Sequence, residues 1–198
     1  SGRATERMWC TLIIQGINMN VIIKKIGVIG TGKMGAALIR GIVNSKVIKS
    51  TDIFASDVYE RGLEELQKEL GINVSTDNKE TVLNSDIIIL AVKPQIIKMI
   101  LAGIRDSVTS DKLIISIAAG IPIKDIEGEL ESGSRVVRVM PNIAATVAEA
   151  ASAVCPGTNA SINDAETTLE IFRTIGSALA VSEHLMDAVT GLSGSGPA

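Results

Sequence analysis

Gly30, Gly32 and Gly35 are spaced as a G-x-G-x-x-G run, Gly30-Thr31-Gly32-Lys33-Met34-Gly35. The chemistry this spacing serves is pyrophosphate binding. The first glycine allows a tight turn, the second lets backbone approach the phosphates, and the third lets a helix pack close to the preceding strand. The helix that opens here also offers unpaired N–H groups and the positive end of its dipole to an anion. A glycine-rich turn without a ligand is the plain alternative. Against it, the run follows the β-branched stretch Ile26 to Ile29 and opens a helical pattern, the context a dinucleotide site requires. Lys33 either adds charge near the phosphates or is a solvated surface lysine. At the end of the next strand pattern stand Ser56 and Asp57, where an acidic residue would hydrogen-bond the adenosine ribose. A carboxylate there repels the 2′-phosphate of NADP, while Arg61, one helical turn on, could reach such a phosphate. Asp57 could equally cap the helix that starts near Tyr59. Cofactor preference is open at this point and leans slightly to NAD.

Ligands of an open α/β sheet lie beyond the carboxyl ends of its strands. Ala91-Val92-Lys93-Pro94, Ser116-Ile117-Ala118-Ala119-Gly120 and Met140-Pro141-Asn142 each fall at such an end. Small residues in the second let backbone approach a flat ring, and Pro94 and Pro141 fix the chain as it leaves the sheet. Each segment alone reads as an ordinary β-to-α turn; together with the glycine loop they locate a binding site. Lys93 is read as a contact to ribose or phosphate rather than as a catalytic group. There is no Ser-His-Asp set and no motif of paired carboxylates. The single histidine, His184, excludes a multi-histidine metal site, and no Cys, His and carboxylate set has zinc-ligand spacing, so no metal is expected. The reactive chemistry then has to come from a bound cofactor that the protein positions.

The elements that would hold these residues alternate regularly. Strand patterns at Ile26 to Ile29, Ile53 to Ala55, Ile72 to Val74, Asp86 to Val92, Leu113 to Ile117 and Val136 to Met140 are separated by helical patterns. These run over Lys33 to Asn44, Tyr59 to Leu70, Asp77 to Leu83, Pro94 to about Arg105, and Ile123 to Leu130. Gly71 supplies a helix stop, and Pro94 fits a first helical turn. An apolar segment near Ala150 to Val154, a helix from about Asn163 to Thr174 and a strand near Ala178 to Val181 follow. The alternation predicts an α/β fold with a doubly wound, Rossmann-like parallel sheet.

Composition agrees. The 198 residues are 46% hydrophobic and carry 18 glycines, with one Tyr, one Trp and two Phe, so the core is aliphatic, as in a parallel sheet buried on both faces. A net charge of −3 and the lack of a basic, aromatic-laced stripe argue against nucleic acid. No run reaches the roughly 18 apolar residues of a membrane helix, so no membrane partner and a cytoplasmic location are expected. Cys10 and Cys155 read as ordinary free thiols. Arg3 and Arg7 before Met8 to Ile14 loosely resemble a signal peptide, but Gln15, Asn18 and Asn20 interrupt the pattern. Residues 1–18 are read as a leader or appended segment, with Met19 a plausible start. The final Gly194-Ser195-Gly196-Pro197-Ala198 reads as a junction between domains.

Taken with Asn78-Lys79-Glu80-Thr81-Val82, Ala91-Val92-Lys93-Pro94-Gln95, Ser116 to Gly120, Arg138-Val139-Met140-Pro141-Asn142 and above all the run from Met186 to Ala198, the glycine loop resembles pyrroline-5-carboxylate reductase, over roughly Val21 to Ala198. The resemblance implies NADPH- or NADH-dependent reduction of 1-pyrroline-5-carboxylate to L-proline, the last step of proline synthesis. It implies Asn78 near the adenosine ribose, Ala91 to Pro94 near the nicotinamide ribose, and Met140, Pro141 and Asn142 near nicotinamide and substrate. It also implies residues 19–182 as the dinucleotide-binding domain and 183–198 as the start of a helical domain. The rest of that domain, which forms a homo-oligomer and supplies the substrate loop, is missing here. This chain alone is then expected to bind the dinucleotide but to turn over substrate poorly. Ser193 and Ser195, with no base beside them, are read as a helix entry, and His184 as a surface residue of a turn. The alternatives are a stand-alone, non-catalytic dinucleotide-binding module and a related imine or β-hydroxyacid dehydrogenase.

Overall fold

The computed structural model describes residues 25–142 and 150–189, together with Gly191. The leader segment, Met19, Ser193, Ser195 and the closing Gly194 to Ala198 lie outside the described residues. Eight strands form one sheet: β1 (Ile26–Ile29), β2 (Ile53–Ser56), β3 (Asn73–Ser75), β4 (Ile87–Leu90), β5 (Leu113–Ser116), β6 (Arg135–Pro141), β7 (Ala150–Pro156) and β8 (Gly176–Ala180). Their order is β3-β2-β1-β4-β5-β6-β7-β8. Among the described residues, seven α-helices accompany them: α1 (Lys33–Ser45), α2 (Glu60–Leu70), α3 (Asn78–Leu83), α4 (Ile97–Ile104), α5 (Ile123–Glu129), α6 (Ile162–Arg173) and α7 (Glu183–Val189).

The strands are apolar on both faces because both faces are covered. In β4, Ile87 and Ile89 join one core with Leu38, Ile39 and Ile42 of α1, Leu63 and Leu66 of α2, and Phe172 of α6. Ile88 and Leu90 join the other, with Val82 of α3, Ile97 and Leu101 of α4, and Ile126 of α5. Successive side chains of a strand point to opposite faces, so a run such as Ile87-Ile88-Ile89-Leu90 feeds both cores at once. Gly35, Leu38, Ile39 and Ile42 are the buried residues of α1, while Met34 and Ala37 are half-buried.

β1 to β6 are parallel to their neighbours, as expected. β7 runs antiparallel to β6, pairing Met140 with Ala153, and β8 is parallel to β7. The wholly parallel sheet is therefore corrected at this one step. Only residues 142–149 separate β6 from β7, and a parallel crossover needs a dozen or more. Pro94 opens a 3-10 turn (Pro94–Ile96) ahead of α4 rather than the α-helix itself. His184 is exposed, as expected, but lies in α7 rather than in a turn, with Ser182 Oγ 3.0 Å from its Nδ1.

Polar contacts fix the helix placements. Gly71 ends α2 in the left-handed conformation at φ 70°, the stop predicted for it. Asp77 caps α3 by accepting from the Lys79 N–H at 2.9 Å. In α6, Ser161 and Asp164 form a reciprocal capping box. Asp164, 3% exposed, also accepts from Arg135 Nη1 of β6 at 2.6 Å. Replacing Asp164 with Ala removes its half of the box and the Arg135 ion pair, while Arg135 keeps its bonds to the Ser110 and Asp111 carbonyls, so a loss of about 2 kcal/mol is expected in chemical denaturation.

Arg40 of α1 meets Glu69 of α2 in a two-pronged pair, Nε to Oε1 at 2.8 Å and Nη2 to Oε2 at 2.7 Å. Hydrogen bonding from Arg40 holds the Glu69 carboxyl below the usual carboxylate range. The pair's contribution is therefore complete above that range and is lost as pH falls through the lowered value. Both side chains are 45% exposed, so Glu69→Gln should cost less than about 1 kcal/mol at neutral pH. The difference from wild type should vanish in acid, as paired denaturation curves across pH would show.

Candidate dinucleotide site

The glycine loop is shaped by contacts that its own residues dictate. Gly30 leaves β1 at φ +98°, a conformation that side chains disfavour, and a Cβ there would lie 2.5 Å from the Ala91 carbonyl oxygen. A Cβ on Gly35 would lie 2.0 Å from the Gly30 carbonyl oxygen, so α1 passes β1 in backbone contact. Gly32 differs. A Cβ there would meet nothing within 4 Å, and its φ of −61° suits any residue. Nothing in the protein's own packing requires glycine at 32. The open space above Gly32 leaves room for a group that approaches from outside, such as a pyrophosphate. Gly32 is also the N-cap of α1 and provides no capping side chain, so N–H groups of the first turn stay available to an anion.

Hydrogen bonds gather three neighbouring strand ends around this loop. Gly30 N–H donates to the Ser56 carbonyl at 2.8 Å, and Ala91 N–H donates to the Ile29 carbonyl at 2.8 Å. Ser56, fully buried, donates its hydroxyl to Asn78 Oδ1 at 2.7 Å. Asp57 Oδ2 accepts from the Thr31 N–H at 2.6 Å and from the Thr31 hydroxyl at 3.0 Å. Asp57 Oδ1 accepts from the Tyr59 N–H at 3.1 Å. Of the two roles open to Asp57 from sequence, the helix cap is not formed: Tyr59 is the N-cap of α2, which has no side-chain capping bond, and the Asp57 contact to its N–H is a turn ahead of the helix. The Asp57 clasp on Thr31 is a third role that sequence reasoning missed. Met34 is half-buried and packs on the core beside α1, and Lys33 is exposed. Arg61 points its Nε at Glu65 one turn further along α2, at 3.2 Å.

The remaining segments stand along the same edge, because β1, β4, β5 and β6 are parallel and in order. Ala91 and Val92 leave β4 against Gly30, followed by exposed Lys93 and half-buried Pro94. Beyond β5, Ala118 is buried with its N–H on Ser116 Oγ at 3.3 Å, while Ala119 and Gly120 are exposed. At β6, Met140 is half-buried and Pro141 buried, and the Asn142 side-chain oxygen accepts from Ala151 N–H at 3.3 Å. Three strand spacings, about 14 Å, separate β1 from β6, so the edge suits an elongated ligand with an anionic part at the glycine loop. No group of three or more His, Cys, Asp or Glu able to hold a metal is found among the described residues.

Sequence reasoning also missed a tie at the far end. Glu183, opening α7, accepts from the Ile123 N–H that starts α5 at 2.8 Å and lies 3.6 Å from Arg138 Nη1. Arg138 is 4% exposed in β6. An arginine inside an otherwise apolar strand was the available signal, since a buried guanidinium demands a partner.

Gly32→Ala and Gly35→Ala should separate binding from folding. Gly35→Ala forces backbone apart, with an expected stability loss of roughly 1–3 kcal/mol or more in thermal or denaturant unfolding. Gly32→Ala should leave stability within about 0.5 kcal/mol and still weaken dinucleotide binding, read by titration of nicotinamide fluorescence. Unchanged binding by that variant would show that nothing enters the space above Gly32.

A family model described as NADP oxidoreductase, coenzyme F420-dependent, matches residues 25–120. The chain is 57% identical over 175 residues to a pyrroline-5-carboxylate reductase of Methanosarcina acetivorans, covering 88% of this chain and 65% of that protein. Among solved structures, a pyrroline-5-carboxylate reductase from Coxiella burnetii superposes with a TM-score of 0.84 at 30% identity, covering 88% of this chain and 65% of that one. The Plasmodium falciparum pyrroline carboxylate reductase, solved with NADP bound, gives 0.79 at 34% identity, covering 88% and 63%. This chain thus spans slightly less than two thirds of the relatives it matches, and over the part that it spans it is similar to pyrroline-5-carboxylate reductases.

Proposed function

We propose that this chain is the dinucleotide-binding part of an enzyme that reduces 1-pyrroline-5-carboxylate to L-proline with NADPH or NADH. The observation that carries the reading is the single sheet edge on which the glycine loop, with its open space at Gly32, lines up with the ends of β4, β5 and β6. That edge occurs in a chain whose relatives are named as reductases of this substrate. Residues 19–182 form the binding domain in this reading, and a helical, oligomer-forming domain begins at 183, where α7 starts. Among the described residues no helix is long and apolar enough to cross a membrane, and the reading places the enzyme in the cytoplasm.

The chain's share of the reaction is placement. Gly30 to Gly35 hold the pyrophosphate through backbone N–H groups and the helix dipole. Asp57 and Asn78 take the adenosine ribose, with buried Ser56 holding Asn78 from beneath, and Ala91, Val92, Lys93 and Pro94 the second ribose. Ala118, Ala119 and Gly120, with Met140, Pro141 and Asn142, border the ring and the substrate. When bound, the reduced nicotinamide supplies a hydride to the C=N carbon, and the ring nitrogen takes a proton. A protonated imine is already electrophilic. Orientation and exclusion of water then contribute more than any strong acid on the protein.

The test is turnover by the full-length gene product, with 1-pyrroline-5-carboxylate and either NADH or NADPH, followed as loss of reduced-nicotinamide absorbance and formation of proline. Imine-dependent oxidation of either dinucleotide is the expected result. Tight dinucleotide binding with no oxidation on adding the imine would leave the non-catalytic binding module as the correct reading.

A further inference from the structure

We propose that Glu183 is a positioning residue for the reduction, holding the loop beyond β5 in place against the nicotinamide, an inference that rests on the reductase reading of the site. In that reading Ala118, Ala119 and Gly120, with Met140, Pro141 and Asn142, border the ring. The first of these segments lies in the chain between β5 and α5, residues 117–122. Its near end is tied to the sheet. The Ile117 N–H donates to the Leu90 carbonyl at 3.1 Å, and the Ala118 N–H to Ser116 Oγ at 3.3 Å. The chain then turns through Gly120 at φ +72°, where Ala119 and Gly120 are exposed.

The far end of the loop is held from 60 residues away. α5 begins after Pro122, which provides no side-chain cap, and an N–H in a first helical turn has no partner within its own helix. Glu183 supplies that partner: its Oε1 accepts from the Ile123 N–H at 2.8 Å. The same oxygen lies 3.6 Å from Nη1 of Arg138, whose guanidinium is buried in β6. Arg138 stands two residues before Met140 and pairs with Ser116, the last residue of β5. One carboxylate oxygen thus meets the elements that carry both ring-bordering segments.

Glu183 is itself anchored. It opens α7, and Met186 of that helix is fully buried in the core that holds Ile123 and Ile126 of α5 and Ala153 of β7. Helix stability alone needs no such reach across the chain. Asp77 and Ser161 cap α3 and α6 from the residue next to each helix. At α5 the partner comes instead from another helix, so the place of the ring-side loop depends on where α7 lies. In the reductase reading α7 opens the helical domain that completes the substrate site. The Glu183–Ile123 bond then keeps the nicotinamide loop in register with the substrate half. Misplacing a reacting group by about 1 Å, even from a distant change, can cost on the order of 100-fold in rate.

Three readouts on the full-length protein test this: affinity for ADP-ribose, which lacks the nicotinamide; the emission of bound NADH, which reports how the ring is held; and kcat for imine reduction at saturating NADH. Wild type should shift and enhance NADH emission on binding. Glu183→Ala should leave ADP-ribose affinity within about twofold, return bound NADH toward the emission of free NADH, and lower kcat by about tenfold or more. Both contacts are made by Oε1, so Glu183→Gln, with its carbonyl oxygen in that place, should restore the emission and most of kcat. An Ala variant that melts earlier yet keeps wild-type emission and kcat shows a role in stability alone and overturns the proposal. A Gln variant as impaired as Ala overturns it too, since the effect would then lie in the charge facing Arg138. Should Ala not fold, Glu183→Asp draws the carboxylate back by one methylene and keeps its charge. The same losses are expected of it, and wild-type values for it overturn the proposal. A wild type that binds both ligands but reduces no imine overturns the reductase reading, while the NADH emission of the variants still decides whether Glu183 holds the ring loop. Failure to bind either ligand overturns the site and the proposal together.

Discussion

The close passage of α1 across the end of β1 is the constraint on which the rest of this structure depends. A parallel strand buried on both faces must hand its chain to a helix that returns over the sheet, and the handover here occurs within backbone contact. The Gly35 site lies so near the Gly30 carbonyl that no side chain fits between them. That contact sets where α1 lies, and therefore which of its residues, Leu38, Ile39 and Ile42, reach the core. It also sets where the helix N-terminus opens. A shift of α1 by one side-chain diameter would move its free N–H groups off the sheet edge and break the Gly30 contact with Ala91. Packing and the binding geometry are in this sense one requirement.

Much of this was legible in the residues because the signals are local. A β-branched run, a glycine loop and an apolar helical face each follow from covalent geometry and burial within a few residues. The six parallel strands and their helices accordingly lie within a few residues of where the pattern puts them. What could not be read depends on residues far apart in the chain. The direction of β7 is set by how few residues join it to β6, a matter of chain length and not of composition. Asp57 was visible as an acid at the right distance from the loop, but periodicity cannot show that Thr31, 26 residues earlier, accounts for one of its oxygens. Arg138 is likewise an oddity in its strand until α7 brings Glu183 to it.

These long-range polar contacts have a common position. The Thr31–Asp57 clasp, the Ser56–Asn78 bond and the Glu183 bond to Ile123 involve residues at or just beyond strand ends, or in the helices that follow them, while Arg138, in the middle of β6, is the exception that Glu183 reaches. The middle of the sheet is aliphatic, and its order follows from burial, which is non-directional. At the edge, loops have to hold particular backbone paths without a covering core, and directional bonds do that work. Such contacts are worth little each in stability, yet they decide where a carboxylate or an N–H points by fractions of an ångström. An α/β sheet can therefore keep its core while its edge is retuned for a different ligand.

That division bears on how a chain with so few ionisable groups at its candidate site could serve the proposed reduction. In the segments Ala91 to Pro94, Ala118 to Gly120 and Met140 to Asn142 the residues are alanine, valine, proline, glycine, methionine and asparagine, with exposed Lys93 the one charge among them. Such a set is poor in acids and bases and rich in small surfaces. It is suited to admitting a flat ring closely and holding it in one plane. For a hydride passed to an already electrophilic carbon, distance and angle control the rate more than proton transfer from the protein does. The charged residues of the edge, Lys33 and Asp57, sit instead at the β1–β2 end, where the adenosine and phosphates would lie. In the proposed reading, charge meets the phosphates and adenosine of the cofactor at one end, while shape positions the reacting atoms at the other.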